Sequence, residues 1–229
     1  MQNNRKITLG LDSSGPLLRV CAGDGEKIYS FHKAGIKQEQ LLLPLLERTL
    51  QKAGAEMTDV KRIFFVRGPG RFTGIRISLT FASMLKYLNG AQVRSATVFE
   101  ILQRQVLASR AYHVWKEAHP EGVVAVVLHA FRDEYFLQIF DGKNEPPQWL
   151  SKEQLLITLA ARREPLFCAG TDKDGASLVA LLGNRYRLAP MADSWVRPQT
   201  LIEMAEEEQF EKDALEPLYL KPARFELGR

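Results

Sequence analysis

Two short runs hold the side chains best suited to chemistry. Asp12-Ser13-Ser14 ends an alternating stretch, Ile7, Leu9 and Leu11 with Thr8 and Gly10 between, and leads into Gly15-Pro16. Short hydroxyls and free amides in such a turn can hold a phosphate, and an acidic neighbour can hold Mg²⁺ through water. An ordinary turn, with Asp and Ser bonded to local amides, uses the same residues. The second run is Arg67-Gly68-Pro69-Gly70-Arg71-Phe72-Thr73-Gly74-Ile75-Arg76. Glycine lets a backbone approach a partner closely. Amides at a helix start lack intrahelical partners and carry partial positive charge, and Arg67, Arg71 and Arg76 add cationic charge. An anion site fits this run, and so does a tight strand-to-helix turn capped by Thr73. It is not a P-loop, because no Gly-Lys-Ser/Thr follows at the required spacing.

Other chemistries lack their residues. The four histidines, His32, His113, His119 and His129, never fall three to five apart, so no helix carries a paired-His metal site. There is no Gly-x-Ser-x-Gly elbow. Cys21 and Cys168 sit in apolar runs and read as two buried thiols. His129 ends a strand, where a polar residue is common. No catalytic residue and no metal ligand is therefore assigned. The formal charge of +4 is spread along the chain in runs no longer than Lys61-Arg62 or Arg162-Arg163. Autonomous nucleic-acid binding needs a concentrated patch and is not expected. Met1 to Lys6 lacks the apolar stretch of a signal peptide, and no apolar run reaches the roughly 20 residues of a membrane span. The expectation is a cytoplasmic protein without membrane contact.

The elements that must position these runs follow from periodicity. Ile7–Asp12, Leu17–Ala22 and Lys27–His32 alternate as an antiparallel meander, with Gly23-Asp24-Gly25 as a hairpin turn. A helix carrying Leu42, Leu46, Leu50 and Ala53 on one face follows, and Gly54 stops it. Pro44 must lie in its first turn or kink it. Ile63-Phe64-Phe65-Val66 reads as a strand covered on both faces. A second helix from about Thr73 to Leu88, a weak strand near Val93 and a helix from about Val98 to Val114 complete a β-β-β-α-β-α-β-α order. The polar stretch from Lys116 to Gly122, with Pro120, marks the second half. There, strands are expected at Val123–Leu128, Tyr135–Phe140, Leu166–Ala169 and Arg185–Leu188. Helices are expected at Lys152–Arg163, Ala176–Leu182 and Leu201–Phe210. The domains implied are 1–112 and 113–229, allowing the last segment to pack back on the first.

The helix after the glycine-rich bend has two apolar stripes. Ile77, Phe81, Met84 and Leu88 form one, and Ile75, Leu79 and Ala82 another on nearly the opposite side, with Arg76, Thr80, Ser83 and Tyr87 between. A helix apolar on two sides is covered on two sides. One cover is its own sheet; the other is either the preceding helix or another polypeptide.

These residues resemble a known family. Ile7-Thr8-Leu9-Gly10-Leu11-Asp12-Ser13-Ser14 resembles its opening strand and phosphate-loop relic, and Leu42-Leu43-Pro44-Leu45-Leu46 its first helix. Gly68-Pro69-Gly70-Arg71-Phe72-Thr73-Gly74-Ile75-Arg76-Ile77 is similar to its signature, Gly-Pro-Gly-Ser-Phe-Thr-Gly-Leu-Arg-Ile-Gly. Thr97-Val98-Phe99-Glu100 and Pro217-Leu218-Tyr219-Leu220-Lys221-Pro222 resemble two further segments. The family is TsaB (YeaZ). The resemblance implies an α/β fold of two RNase-H-like domains of the actin, sugar-kinase and Hsp70 superfold, each a mixed sheet with helices. It implies a cytoplasmic, non-catalytic partner of TsaD, required with TsaE for threonylcarbamoylation of adenosine beside the anticodon of ANN-decoding tRNAs. The partner acts as a dimerising scaffold or activator, contacts tRNA indirectly and forms a homodimer in isolation. It further implies a vestigial nucleotide loop at Asp12, Ser13, Ser14, Gly68, Pro69, Gly70, Thr73, Gly74 and Arg76. No cofactor is held by this subunit alone, and any ATP or ADP lies at the interface of the complex. The partner and dimer interface comprises Leu42, Leu46, Leu50, Ile77, Phe81, Met84 and Leu88. The rival reading is an ATP-dependent small-molecule kinase or a metallopeptidase-like enzyme of the same superfold. Arg71 stands where the family has Ser, Ser78 where it has Gly, and Gln38 where His is common. His129-Ala130-Phe131-Arg132-Asp133-Glu134 replaces an Asp-Ala-Arg-x-Gly-Glu-like turn. Ser78 adds bulk on a packed helix and is expected to alter the approach of a partner helix.

Overall fold

The computed structural model describes residues 6–221 apart from Ile36, Asn144, Lys212 and Asp213. Residues 1–5 and Pro222, both drawn on above, lie outside the described residues. The chain divides into two compact units, Met1–Val98 with Val196–Tyr219 and Phe99–Trp195 with Leu220–Arg229. The division expected from the polar stretch lies at 112/113, within the helix Arg110–Ala118. From Phe99 the helix that follows Ala96 belongs with the second unit, Val196–Tyr219 returns to the first, and the chain from Leu220 belongs again with the second.

The first unit opens with β1 (Ile7–Asp12), β2 (Leu17–Gly23) and β3 (Ile28–Ala34), then α1 (Gln38–Ala53), β4 (Val60–Val66), α2 (Phe72–Asn89) and β5 (Gln92–Ala96). Its sheet runs β3-β2-β1-β4-β5. The hairpins make the first pairs antiparallel, and the helical crossovers make β1–β4 and β4–β5 parallel. In register, Leu9 opposes Ile63 and Leu11 opposes Phe65. All four project to the face on which Leu42, Leu46, Leu50, Phe81 and Leu85 pack. α1 starts at Gln38, so Pro44 falls in the second turn, on the exposed side, where the ring meets solvent.

The second unit contains α3 (Val98–Leu107), α4 (Arg110–Ala118), β6 (Val123–Phe131), β7 (Glu134–Phe140), β8 (Gln148–Ser151), α5 (Lys152–Ala160), β9 (Leu166–Thr171), α6 (Val179–Leu182) and β10 (Arg187–Leu188). Its sheet order is β10-β9-β6-β7-β8. With β6 taking the place of β1, this is the topology of the first sheet, antiparallel on one side and parallel on the other. The RNase-H-like α/β fold is therefore present twice. The single helix expected over Val98–Val114 is two, because the Ser109 side chain accepts from the Tyr112 amide and caps a new start. The sequence reading missed β8, a four-residue edge strand. The helix expected at Ala176–Leu182 shrinks to α6.

The chain then returns to the first unit as α7 (Pro198–Met204), shorter than the Leu201–Phe210 helix expected and begun by a proline whose missing donor costs nothing at that position. α7 covers the sheet face opposite α1 and α2. A Cβ on Gly10 would meet Leu201 Cβ at 3.0 Å and Cys21 Sγ at 2.4 Å. Phe210 packs edge-on against Phe64, with centroids 5.9 Å apart. Arg94, only 3% exposed, donates to the Ala205 carbonyl at 2.6 Å.

Candidate functional site

The two runs singled out in the sequence meet. The turn between β1 and β2 lies against the bend between β4 and α2. Gly74 comes so close to this turn that a Cβ there would sit 1.8 Å from the Ser13 carbonyl oxygen. A Cβ on Gly70, whose φ is +159°, would sit 2.3 Å from that of Ser14. Only residues without side chains allow this approach.

The contact is closed by its own groups. Ser13 Oγ donates to the Gly74 carbonyl at 2.6 Å and is hydrogen-bonded to Ser78 Oγ. The Ser14 carbonyl accepts from the Arg71 amide at 2.8 Å. Asp12, 2% exposed, accepts from the Ser14 amide at 3.0 Å and the Ser14 hydroxyl at 2.6 Å, and pairs with Arg19 at 3.0 Å. Gln38 Nε2 donates to the Gly15 carbonyl at 2.9 Å. The amides of Ser14 and Arg71 are thus engaged within the contact. Ser78 and Gln38, two departures from the family pattern, are both buried in this lock. Ser78 faces its own turn, so the expected effect on a partner helix does not arise from it.

The other bend residues serve the backbone. Gly68 and Pro69 are buried and joined by a cis peptide, and the Gly68 carbonyl accepts from the Val98 amide at 2.7 Å. The Leu218 amide donates to the Arg67 carbonyl at 2.8 Å, laying the C-terminal segment beside the bend. α2 starts from Arg71 without a side-chain cap, so Thr73 is an exposed helical residue and not the cap expected. Arg76 is exposed, with its guanidinium 4.3 Å from the centroid of the Phe72 ring.

The expected interface residues split. Leu42, Leu46, Leu50 and Phe81 are at most 7% exposed and belong to the core of their own unit. Their side chains are enclosed by their own unit. Ile77 is half-buried, while Met84 is 40% and Leu88 65% exposed. The stripe straddles the edge of the buried arc. Gly74, Ser78 and Ala82, four residues apart, mark the side of α2 pressed on its own unit. The face turned away carries Tyr87, 88% exposed, beside Met84 and Leu88. Leu43 on α1 and Phe72 at the start of α2 are exposed as well. Sequence reasoning missed Tyr87, Leu43 and Phe72. The small-residue line was the signal that would have oriented the helix.

Of the remaining candidates, burial pushes the Cys21 and Cys168 thiols up to about 12, so neither is a ready nucleophile. His129 Nε2 lies 2.7 Å from the Arg132 carbonyl within the β6–β7 turn. Among the described residues no group of His, Cys, Asp or Glu could hold a metal, and no helix is long and apolar enough to cross a membrane.

A family model described as TsaD, tRNA N6-adenosine threonylcarbamoyltransferase, matches residues 32–109, a span that takes in α1, the bend and α2. The chain is similar to the tRNA threonylcarbamoyladenosine biosynthesis protein TsaB of Buchnera aphidicola subsp. Schizaphis graminum, at 30% identity over 112 residues, 48% of this chain and 51% of that one. The chain thus spans about half the length of that relative. Against TsaB of Bacillus subtilis, identity is 23% over 229 residues, and 95% of each protein is covered. Among solved structures, YeaZ from Pseudomonas aeruginosa superposes with a TM-score of 0.65 at 25% identity, covering 94% of this chain and 100% of that one. The glycine-proline-glycine bend, the doubled sheet topology and relatives matched along nearly the whole length together make this chain similar to the TsaB (YeaZ) proteins.

Proposed function

We propose that this chain serves threonylcarbamoyladenosine formation in tRNA as a non-catalytic partner of the threonylcarbamoyltransferase TsaD. It docks through the outer face of α2, pairs with a second copy when TsaD is absent, and meets TsaE and tRNA through the complex in the cytoplasm. The observation that carries this reading is the exposure of Met84, Tyr87 and Leu88 together on one helical face. Fully burying a large apolar side chain contributes on the order of 1.5–3 kcal/mol in transfer terms, partly offset by the cost of association. Support for the non-catalytic role comes from the sealed turn. The Asp12 carboxylate is paired with Arg19 and Ser14, and the Ser14 and Arg71 amides are bonded within the chain.

Pull-down with TsaD, followed by a threonylcarbamoylation assay with and without this chain, tests the reading. Leu88→Glu and Tyr87→Glu are expected to fold normally, lose TsaD in the pull-down and fail to support the reaction. Phe81→Glu buries a charge in the core and is expected to unfold the first unit instead. Folded Leu88→Glu and Tyr87→Glu variants that still bind TsaD with unchanged affinity overturn the reading. So does modification of tRNA, or turnover of ATP, by the purified chain alone.

A further inference from the structure

The second sheet carries a cluster of a different kind. Across β6 and β7, Phe131 opposes Glu134, and across β7 and β8, Phe136 opposes Trp149. Residues directly opposite each other share a face, as do residues two apart on a strand. Phe131, Glu134 and Trp149 therefore project together, on the side away from Tyr135 and Leu137, which enter the core.

The ammonium of Lys221 sits among them. Its Nζ lies 5.2 Å from the Phe131 ring centroid and 5.0 Å from that of Trp149, and it is ion-paired with Glu134. The Lys221 and Glu134 side chains are only 27% and 30% exposed. Trp149 Nε1 is buried without a hydrogen-bond partner, so the indole contributes its π face and not its donor. Two ring faces and one carboxylate converging on a point are what a primary ammonium requires. Arg132 also lies over the Phe131 ring, 5.2 Å from its centroid.

We infer that Phe131, Glu134 and Trp149 form a binding site for an alkyl-ammonium group, with Lys221 as its resident ligand, and that this ammonium latches the C-terminal segment. The contacts on the one charge act together. Neither a cation–π contact nor an exposed ion pair is strong alone, and the convergence of three groups is what holds the long lysine stem.

The test compares Lys221→Ala, Lys221→Arg and the pair Lys221→Ala with Glu134→Gln, all at a surface where folding is expected to persist. Chymotryptic cleavage after Tyr219 is expected to be about tenfold faster in Lys221→Ala and near the original rate in Lys221→Arg. The indole N–H resonance of Trp149, assigned with Trp149→Phe, should shift in Lys221→Ala. Millimolar n-butylammonium should return it saturably in that variant but not in the double variant. Unchanged cleavage in Lys221→Ala overturns the inference. So does a shift with n-butylammonium that is linear, or equal with and without Glu134.

Discussion

Asp12 shows how a residue type suited to ligand chemistry can be held by partners within its own chain. A buried carboxylate at a strand end, followed by two serines, has the composition of a phosphate-and-metal site. Here the carboxylate is almost fully enclosed, with Arg19 on one oxygen and both polar groups of Ser14 on the other. Removing one partner of such a set leaves the rest buried and unpaired, which costs more than the net value of the bonds themselves. Asp12→Ala is therefore expected to lower stability by about 1–3 kcal/mol, read as a lower urea midpoint with an unchanged slope. A wild-type midpoint in that variant would mean that the carboxylate is free for another task. The same close packing explains Ser78. Its hydroxyl is buried against that of Ser13, and only the folded contact reveals it.

At the scale of elements, α2 and the tie between β7 and α5 show how local pattern and long-range packing divide the work. The apolar spacing in α2 was plain, but spacing cannot say which arc faces the sheet. The line Gly74, Ser78, Ala82 does, because small side chains let the helix settle close to its neighbours. In the second unit, Arg162 past the end of α5 pairs with Asp141 just after β7 and with Glu145 and Glu164. The hydrogen bond from Arg162, aided by the Lys143 amide, holds the Asp141 carboxyl below its ordinary value of 3.8. A carboxyl with a lowered value in the folded state adds stability above its unfolded value and loses it as pH falls through the folded one. Wild type is thus expected to exceed Asp141→Asn in stability by a constant margin above about pH 5. That margin should shrink steadily below about pH 4. Urea titrations of both proteins across this range check it, and a margin that does not change with pH contradicts the assignment.

The whole molecule adds a constraint that neither scale contains. The first unit is discontinuous, completed by residues more than a hundred positions downstream of β4. Leu201, Ile202 and Met204 close the sheet face opposite α1 and α2, and burial of side chains of this size contributes about 1.5–3 kcal/mol each. Their sum is comparable to the net stability of a domain, about 5–15 kcal/mol. A chain ending at Trp195 is accordingly expected to lose the cooperative unfolding of its first unit, seen by circular dichroism and by rapid proteolysis within β1–β3. Retention of that transition would show that α7 is dispensable for the fold.

By itself, the sequence determined the strands of the first meander, the twin helices, the glycine-rich bend and the likeness to the TsaB (YeaZ) proteins that the bend carries. Each is written in a window of ten to twenty residues, where alternation, helical spacing and turn chemistry act directly on the backbone. Tertiary structure alone decided that the second half repeats the topology of the first, since no sequence periodicity accompanies it. It also decided that α7 is the segment that returns to the first sheet, that the Asp12–Ser14 turn is bonded to the glycine-rich bend, and that Phe81 lies inside while Tyr87 lies outside. Those outcomes depend on which distant surfaces come into contact, and burial is a property of the contact and not of the residue.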